Sequence, residues 1–274
     1  MALRSIWNGT IKFGLVKVPI KLYSATESQT IRFRQVHIKD GAPLEHRRIC
    51  SAEDVEVEYK QIVKGYEVDE DEYVVLEPDE VKAAAGDRGK VVEIEEFVEA
   101  EDIDPLYFDR TYYAGYRDDA EPYALFQRAL EKSGKAGIGR FSFHNREYLV
   151  AVRSRQGALA IHTLRFHDEV VHGKDLKLPK AKKNPTAKEI KMAGALIKGL
   201  YEPFNPDDHH DEYREAVQKL IDAKAKGKKP KTTRSKPKKE PDDLSSALEA
   251  SLEASGRQKS KAKSKTKPKA KAKA

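Results

Sequence analysis

The sequence predicts a mainly β core, followed by a helical arm and a basic tail. Through the first two thirds of the chain, apolar and polar residues alternate with the period of half-buried strands. Beyond this core, apolar residues recur at helical spacing, and the last part consists mostly of Lys, Ala, Ser, Thr and Pro. We therefore predict a β core at 1–178, a helical arm at 179–227 and a disordered lysine-rich tail at 228–274.

The first predicted strands lie within 4–27. The dipeptide Asn8-Gly9 is a strong tight-turn signal, and two runs of alternating apolar residues follow it. Pro19 has no amide hydrogen to donate, which favours an edge strand or a bend in the second run. The segment therefore predicts a β-hairpin with one apolar face and one basic face.

Further strands are predicted between about 30 and 80, a region we call the insertion. The alternation over 30–39 places Arg32 and Arg34 on one strand face, and 44–50 and 55–63 continue the pattern. Basic residues recur on or beside these later runs: Arg47, Arg48, Lys60 and Lys64. A ribbon with such side chains could contact phosphates, although from these residues alone a solvated antiparallel hairpin is slightly favoured.

The rest of the core continues this strand pattern, with two helices. We predict strands near 73–76, 91–98, 139–143, 148–152 and 158–166, and helices at 78–85 and 122–133. The tyrosines of 103–116 are interpreted as core and cross-strand residues rather than base-stacking platforms. Five arginines near the later strands form a second candidate phosphate-contacting set, with scattered surface arginines as the alternative: Arg140, Arg146, Arg153, Arg155 and Arg165.

The arm contains two helices. Thr186 and Glu189 have the spacing of a capping box, and a second helix is predicted at about 211–226. We interpret His209, His210 and Asp211 as cap and first-turn residues, because adjacent residues at a helix start rarely converge on one metal ion. Within the tail, the leucine spacing of 242–254 allows a short helix that could dock in a groove.

Several function classes find no support in the sequence. The single cysteine rules out an internal disulfide and a cysteine-cluster zinc site. There is neither a long apolar run nor a signal-peptide pattern, so we expect a soluble cytoplasmic protein with no membrane partner. Motifs for a phosphate loop, a metalloprotease or a nucleophile elbow are also missing, and we therefore expect no catalytic residue, no metal and no cofactor.

Charge is distributed very unevenly along the chain. The net charge is +7, but residues 53–104 carry 20 acidic and 5 basic side chains, whereas 221–274 carry 18 basic and 6 acidic ones. The carboxylates of 53–104 lack the spacing of a metal-binding loop, and a solvated face or a surface that repels DNA is favoured. Because residues 1–220 are net negative, nucleic-acid binding there requires basic side chains gathered on one surface.

Five segments of the chain, in order and at their spacing, closely resemble the bacterial Ku family: SIWNGTIKFGLVKVPIKLYSATE, QIVKGYE, YVVLEP, IDPLYFDRTYY and HDEYREA. The resemblance covers about 1–226. It implies a Ku-type β-barrel whose insertion forms half of a bridge around DNA, with a helical arm used in dimer contact. It also implies a homodimer that binds double-stranded DNA ends in non-homologous end joining, is associated with the nucleoid and recruits the ATP-dependent DNA ligase D.

A closed ring lined with Lys and Arg would contact phosphates and no base edges, so that only a free end could thread it. From charge and strand position we select as DNA-binding candidates Arg32, Arg34, Arg47, Arg48, Lys60, Lys64, Lys12, Arg140 and Arg146. The candidates for ligase docking are His209, Asp211, Glu212, Tyr213 and Arg214. The alternatives are a non-specific chromatin-like DNA-binding protein driven by its basic tail and an Mg²⁺-dependent nuclease.

Overall fold

The structure is a computed structural model that describes residues 4–84, 90–143, 146–176 and 184–228, together with 247, 248 and 251. The chain divides into two compact units, Met1–Leu176 and Lys177–Ala274. The strands of the described residues are β1 (Trp7–Phe13), β2 (Val16–Ser24), β3 (Lys64–Asp69), β4 (Glu72–Leu76), β5 (Val91–Glu99), β6 (Phe108–Tyr116), β7 (Lys135–Phe143), β8 (Arg146–Arg155) and β9 (Ala158–Leu164). The helices are α1 (Pro78–Ala84), α2 (Ala120–Ser133), α3 (Ala187–Leu200) and α4 (Glu212–Ala225).

Seven strands close into a barrel in the order β1-β2-β6-β9-β8-β7-β5. Neighbours are antiparallel except β1 and β5, which pair in parallel and close the ring, with Ile11 opposite Val92. Closure leaves no unpaired strand edge along the barrel wall. The predicted strands at 91–98, 139–143, 148–152 and 158–166 are all confirmed as barrel strands.

The barrel interior is filled by alternate apolar side chains, as the strand period predicts. Its buried core includes Ile11, Val18, Ile20, Leu22, Val92, Val150, Val152, Leu159 and Ile161. Helix α2 packs against this core with Phe126 and Leu130, and the Phe126 ring stacks on Phe13 at 4.4 Å between centroids. Gly134 ends α2 in a left-handed conformation.

The predicted turn at Asn8-Gly9 is wrong, because both residues lie inside β1. The chain turns instead at Gly14, where φ is 56°. Gly9 is required for a different reason: a Cβ there would overlap the Trp7 ring and the carbonyl oxygen of Lys90. The glycine therefore permits close packing within the barrel and does not mark a reversal of the chain.

The expectation that Pro19 marks an edge strand is also wrong, because β2 lies between β1 and β6. The β2–β6 pairing ends at Ile20 and Tyr116, one residue from Pro19. The Pro19 carbonyl still accepts a hydrogen bond from the Arg117 amide at 3.1 Å. Because Pro19 lies where this ladder stops, its missing amide hydrogen interrupts no bond within the paired stretch.

The insertion has less regular structure than its sequence pattern predicts. The strands predicted at 30–39, 44–50 and 55–63 are wrong: pairing there is limited to the isolated bridges Val36–Pro43 and Ile49–Glu56. One two-stranded ribbon, β3–β4, forms further along, and α1 follows it, which confirms the predicted 73–76 strand and the short helix. Alternation specifies side-chain faces, but a strand also needs a partner strand, and most of the insertion has none among the described residues.

The second unit contains α3 and α4, both confirmed at about the predicted bounds. The Glu189 amide donates to the Thr186 hydroxyl at 3.3 Å and the Thr186 amide donates to the Glu189 carboxylate at 2.7 Å, which completes the predicted capping box. Most of 242–254 lies outside the described residues, but Ala247, Leu248 and Ser251 are helical. In the described part of the chain, no helix has the length and apolar character needed to cross a membrane.

Candidate nucleic-acid interface

The candidate basic residues of the insertion differ in how freely they could meet a phosphate. Arg32 and Arg34 are exposed, and neither has an ion-pair or hydrogen-bond partner among the described residues. They lie on an unpaired extended segment rather than on the predicted strand. Two unpaired guanidinium groups in solvent need no local contact to be broken before they bind an anion.

The other insertion candidates have weak local partners. Arg47 pairs with Glu56 at 3.6 Å, and Lys60 pairs with Glu58 at 3.1 Å. The guanidinium of Arg48 lies over the Tyr59 ring, 5.4 Å from its centroid. Exposed ion pairs of this kind contribute about 0–1 kcal/mol, so a phosphate could replace either carboxylate at little cost.

Lys60 and Lys64 lie at the edge of an apolar groove of about 550 Å³. The groove is formed by Tyr59, Ile62 and Val63 on one side and by residues at the end of β4 and in α1 on the other. Lys64 begins β3 and is exposed. The two lysines therefore flank a surface that combines positive charge with apolar area.

The barrel candidates are engaged with carboxylates. Lys12 pairs with Glu93 across the β1–β5 junction at 2.8 Å, and Arg146 pairs with Glu169 at 3.1 Å while it lies over the Tyr148 ring. Arg140 lies between Glu95 and Glu147, at 3.5 and 3.3 Å. Arg140 therefore links three barrel strands electrostatically and is less available to DNA than Arg32 or Arg34.

Arg153 and Arg155 stand apart from the other arginines of the barrel. Arg165 donates to the carbonyl oxygens of Leu106 and Phe108 and pairs with Asp109, which gives it a structural role. By contrast, neither Arg153 nor Arg155 has a carboxylate partner within the described part of the chain. Their sequence context gave no reason to separate them from Arg140 and Arg146, because partners in space are not visible in a strand pattern.

A hydrogen-bonded chain inside the barrel wall holds Arg153. Its Nε donates to Nε2 of His162 at 3.0 Å, so Nδ1 of His162 carries the ring proton and donates to the Thr111 hydroxyl at 2.9 Å. Burial, and then the charges of Arg153 and Arg155, lower the pKa of His162 to about 4. Burial and the charge of Arg155 also lower the pKa of Arg153.

Large apolar side chains are exposed along the insertion, where a solvated segment would carry few. Phe33 is 69% exposed, Ile38 100% and Ile49 57%. Similar exposure continues along the β3–β4 ribbon through Tyr66 and Val75. An apolar surface of this extent is typical of a protein interface.

The five candidates for ligase docking lie at or beside the start of α4. Asp211 caps the helix by accepting from the Arg214 amide at 2.9 Å, as the sequence predicts, and Tyr213 is 73% exposed. The His209 ring stacks on Phe204 at 5.4 Å between centroids. Within the described residues, no group of three or more His, Cys, Asp or Glu side chains could hold a metal ion.

The fold defines a closed seven-stranded β-barrel protein whose insertion carries exposed arginines and lysines, and comparison with known proteins identifies the family. The family model described as "Ku70/Ku80 beta-barrel domain" matches residues 12–192. The chain belongs to the Ku family.

Curated relatives over most of the chain carry the name "Non-homologous end joining protein Ku". The relative from Solibacter usitatus is 39% identical over 246 residues, which are 89% of this chain and 91% of that protein. The relative from Mycobacterium tuberculosis (strain ATCC 25618 / H37Rv) is 36% identical over 253 residues, covering 90% and 92% of the two chains. That from Anaeromyxobacter sp. (strain K) is 41% identical, covering 82% and 76%. The resemblance stated from the sequence is thus confirmed.

Proposed function

We propose that two copies of this chain form a ring that binds double-stranded DNA ends without sequence preference in non-homologous end joining. One observation carries the proposal: exposed arginines with no described ion-pair partner and exposed apolar side chains occur together in the insertion. Over 30–63 this segment has only two isolated bridges among the described residues. Its basic residues would contact DNA phosphates, and its apolar residues would contact the second copy.

Phosphate contacts account for both the affinity and the lack of sequence preference. Arg32 and Arg34 on each protomer would supply contacts that need no local ion pair to be broken, and Arg47, Arg48, Lys60 and Lys64 would add to them. Such contacts carry no information about bases and weaken steeply with salt. A closed ring adds specificity for ends, because an uninterrupted duplex offers no point of entry.

The apolar surface of the insertion supports the homodimer. Side chains such as Phe33, Ile38 and Ile49 have no cover within the described chain, and burying each large apolar side chain contributes about 1.5–3 kcal/mol. A second insertion of the same sequence would provide a matching apolar surface, as twofold interfaces require. The same association could supply the missing strand partners.

The proposal includes the cell context and a partner enzyme. The protein acts in the cytoplasm on nucleoid DNA, catalyses no reaction itself and recruits the ATP-dependent DNA ligase D. Its docking surface is the start of α4, where Tyr213 is exposed and Asp211, Glu212 and Arg214 offer charges beside it. The helical arm also contributes to dimer contact.

The ring mechanism is tested with two duplexes of the same sequence. One is a covalently closed circle, and the other is the same circle cut once to give two open ends. We expect gel-shift and anisotropy measurements at moderate salt to show binding of the open duplex only. Equal affinity for both duplexes would refute the ring mechanism, although not DNA binding itself.

A second candidate is a chromatin-like DNA-binding protein driven by the tail. The observation in its favour is the excess of 18 basic over 6 acidic side chains in 221–274. Deleting 228–274 separates the two functions. A ring keeps its preference for open ends after the deletion, whereas a tail-driven protein loses nearly all DNA binding and shows no preference for ends beforehand.

A further inference from the structure

A small basic pocket lies where the end of α2 meets the turn between β8 and β9. The pocket has a volume of about 200 Å³, and Gly134, Arg153, Arg155 and Gln156 contribute to its lining. It belongs entirely to the barrel unit and includes none of the nine selected DNA-binding candidates. Its chemistry therefore requires a separate explanation.

Arg153 is held in a defined orientation at this pocket. His162 accepts from its Nε at 3.0 Å, and its guanidinium lies over the Phe108 ring, 5.3 Å from the centroid. These two contacts occupy the Nε edge and one face of the group. The two terminal nitrogens, with four N–H donors, have no acceptor among the described residues.

Arg155 lies two residues further along the same face of β8. The residues opposite the two arginines on β9 are Ala160 and Ala158, which are too short and apolar to neutralise either charge. The two cations thus stand on one strand face without a counter-ion, and each raises the cost of the other's charge. An oxyanion between them would relieve this repulsion and accept the free N–H groups of Arg153.

One acidic side chain, Glu131, lines the pocket, against three basic ones. Glu131 contributes to the lining, but its carboxylate accepts from the side-chain amide of Gln127 at 3.2 Å. Lys135 also contributes to the lining and is paired with Glu99. Neither Arg153 nor Arg155 forms an ion pair with a carboxylate of the described residues.

We propose that this pocket binds a phosphate group, with the fork of Arg153 donating two hydrogen bonds and Arg155 providing a second charge. A planar, oriented guanidinium without a carboxylate matches the geometry of phosphate oxygens. The phosphate belongs either to a DNA strand or to a free phosphate compound. Only the first of these sources rests on the proposed function.

The first test measures binding of inorganic phosphate to the full chain at constant ionic strength, with chloride as the exchanged anion. Arg155→Gln is the main variant because Arg155 is exposed and its loss leaves the Arg153–His162 contact in place. Arg128→Gln is the matched control, since Arg128 is an exposed arginine of α2 outside the pocket lining. We expect calorimetry to show about tenfold weaker phosphate binding for Arg155→Gln and no change for Arg128→Gln.

Arg153→Lys provides a second variant that keeps the charge and removes the fork. It should weaken phosphate binding, and its thermal midpoint in chloride is measured as well, because lysine also removes the Nε–H that His162 accepts. Equal phosphate affinity in the wild type, Arg155→Gln and Arg153→Lys would overturn the proposal, as would an equal loss in Arg128→Gln.

A second measurement identifies the source of the phosphate. If the site takes a DNA phosphate, Arg155→Gln also weakens binding of an open-ended hairpin duplex, and inorganic phosphate competes with that duplex more strongly than chloride does. If it takes a free phosphate compound, the duplex affinity is unchanged. If the wild type does not bind DNA ends at all, the proposed function is refuted, and the phosphate titration still tests whether this pocket binds phosphate.

Discussion

Mild acidification should destabilise the barrel through His162, and His162→Gln should remove most of that effect. His162 is 4% exposed, and its two ring nitrogens are both used, one as donor to Thr111 and one as acceptor from Arg153. A second ring proton would therefore point at a guanidinium in a buried site. Burial, followed by the charges of Arg153 and Arg155, lowers the His162 pKa from 6.5 to about 4.

The sign and size of the effect follow from these two pKa values. Between about pH 6.5 and pH 4, the unfolded chain binds a proton at His162 that the folded chain does not, so the free energy of unfolding falls as the pH falls. Above pH 6.5 both states are neutral at this residue and its contribution no longer changes with pH. Proton linkage predicts a loss of about 2 kcal/mol between about pH 7.5 and pH 5.

Urea unfolding at about pH 7.5 and pH 5, at one fixed protein concentration, measures this loss in the free energy of unfolding. Trp7 is the only tryptophan and is buried in the barrel, so its fluorescence reports on this unit. Glutamine can still accept from Arg153 and donate to Thr111, and exposed His46→Gln is the control. We expect His162→Gln to lose about 2 kcal/mol less than the wild type and than the control. Parallel losses in all three proteins would refute the reasoning.

Three further predictions concern the insertion and the barrel packing. Replacing Arg32 and Arg34 with Gln should make the plot of log affinity against log salt concentration less steep, by about 2 for each protomer. An anisotropy titration with an open duplex measures this slope. An unchanged slope would show that these arginines do not contact phosphates. Ile38→Asp should shift the mass measured by light scattering from dimer to monomer without lowering the thermal midpoint of the barrel, and an unchanged dimer mass would contradict the insertion as the interface. Gly9→Ala should lower the free energy of unfolding by about 1–3 kcal/mol in urea, because the added Cβ meets the Lys90 carbonyl. Gly194→Ala is the control and should not destabilise, because that position has open space around it. Equal stability of the two variants would show that Gly9 has room for a side chain.

Local patterns determined most elements of the barrel unit and the arm. The alternation of 91–98 and 158–166 predicted strands, and Thr186 with Glu189 predicted the start of α3, because each signal depends only on residues close in the chain. The resemblance carried by several long segments also identified the family. These inferences needed no knowledge of which strands become neighbours.

Tertiary structure decided what local patterns could not. An Asn-Gly pair can lie in a turn or in a strand. Only the close approach of Trp7 and Lys90 in the barrel shows why residue 9 must be glycine. Similarly, residues 30–63 of the insertion alternate as a strand does but have only two isolated bridges among the described residues, because pairing depends on distant segments or on another copy.

The basic residues show the same division most clearly. The sequence determined that the folded part is net negative, so that any anion site must come from local clustering of charge. Only the structure separated Arg140, held between Glu95 and Glu147, from Arg153 and Arg155, which meet no described carboxylate. The charge of an arginine follows from its residue type, whereas its availability to an anion depends on its neighbours in space.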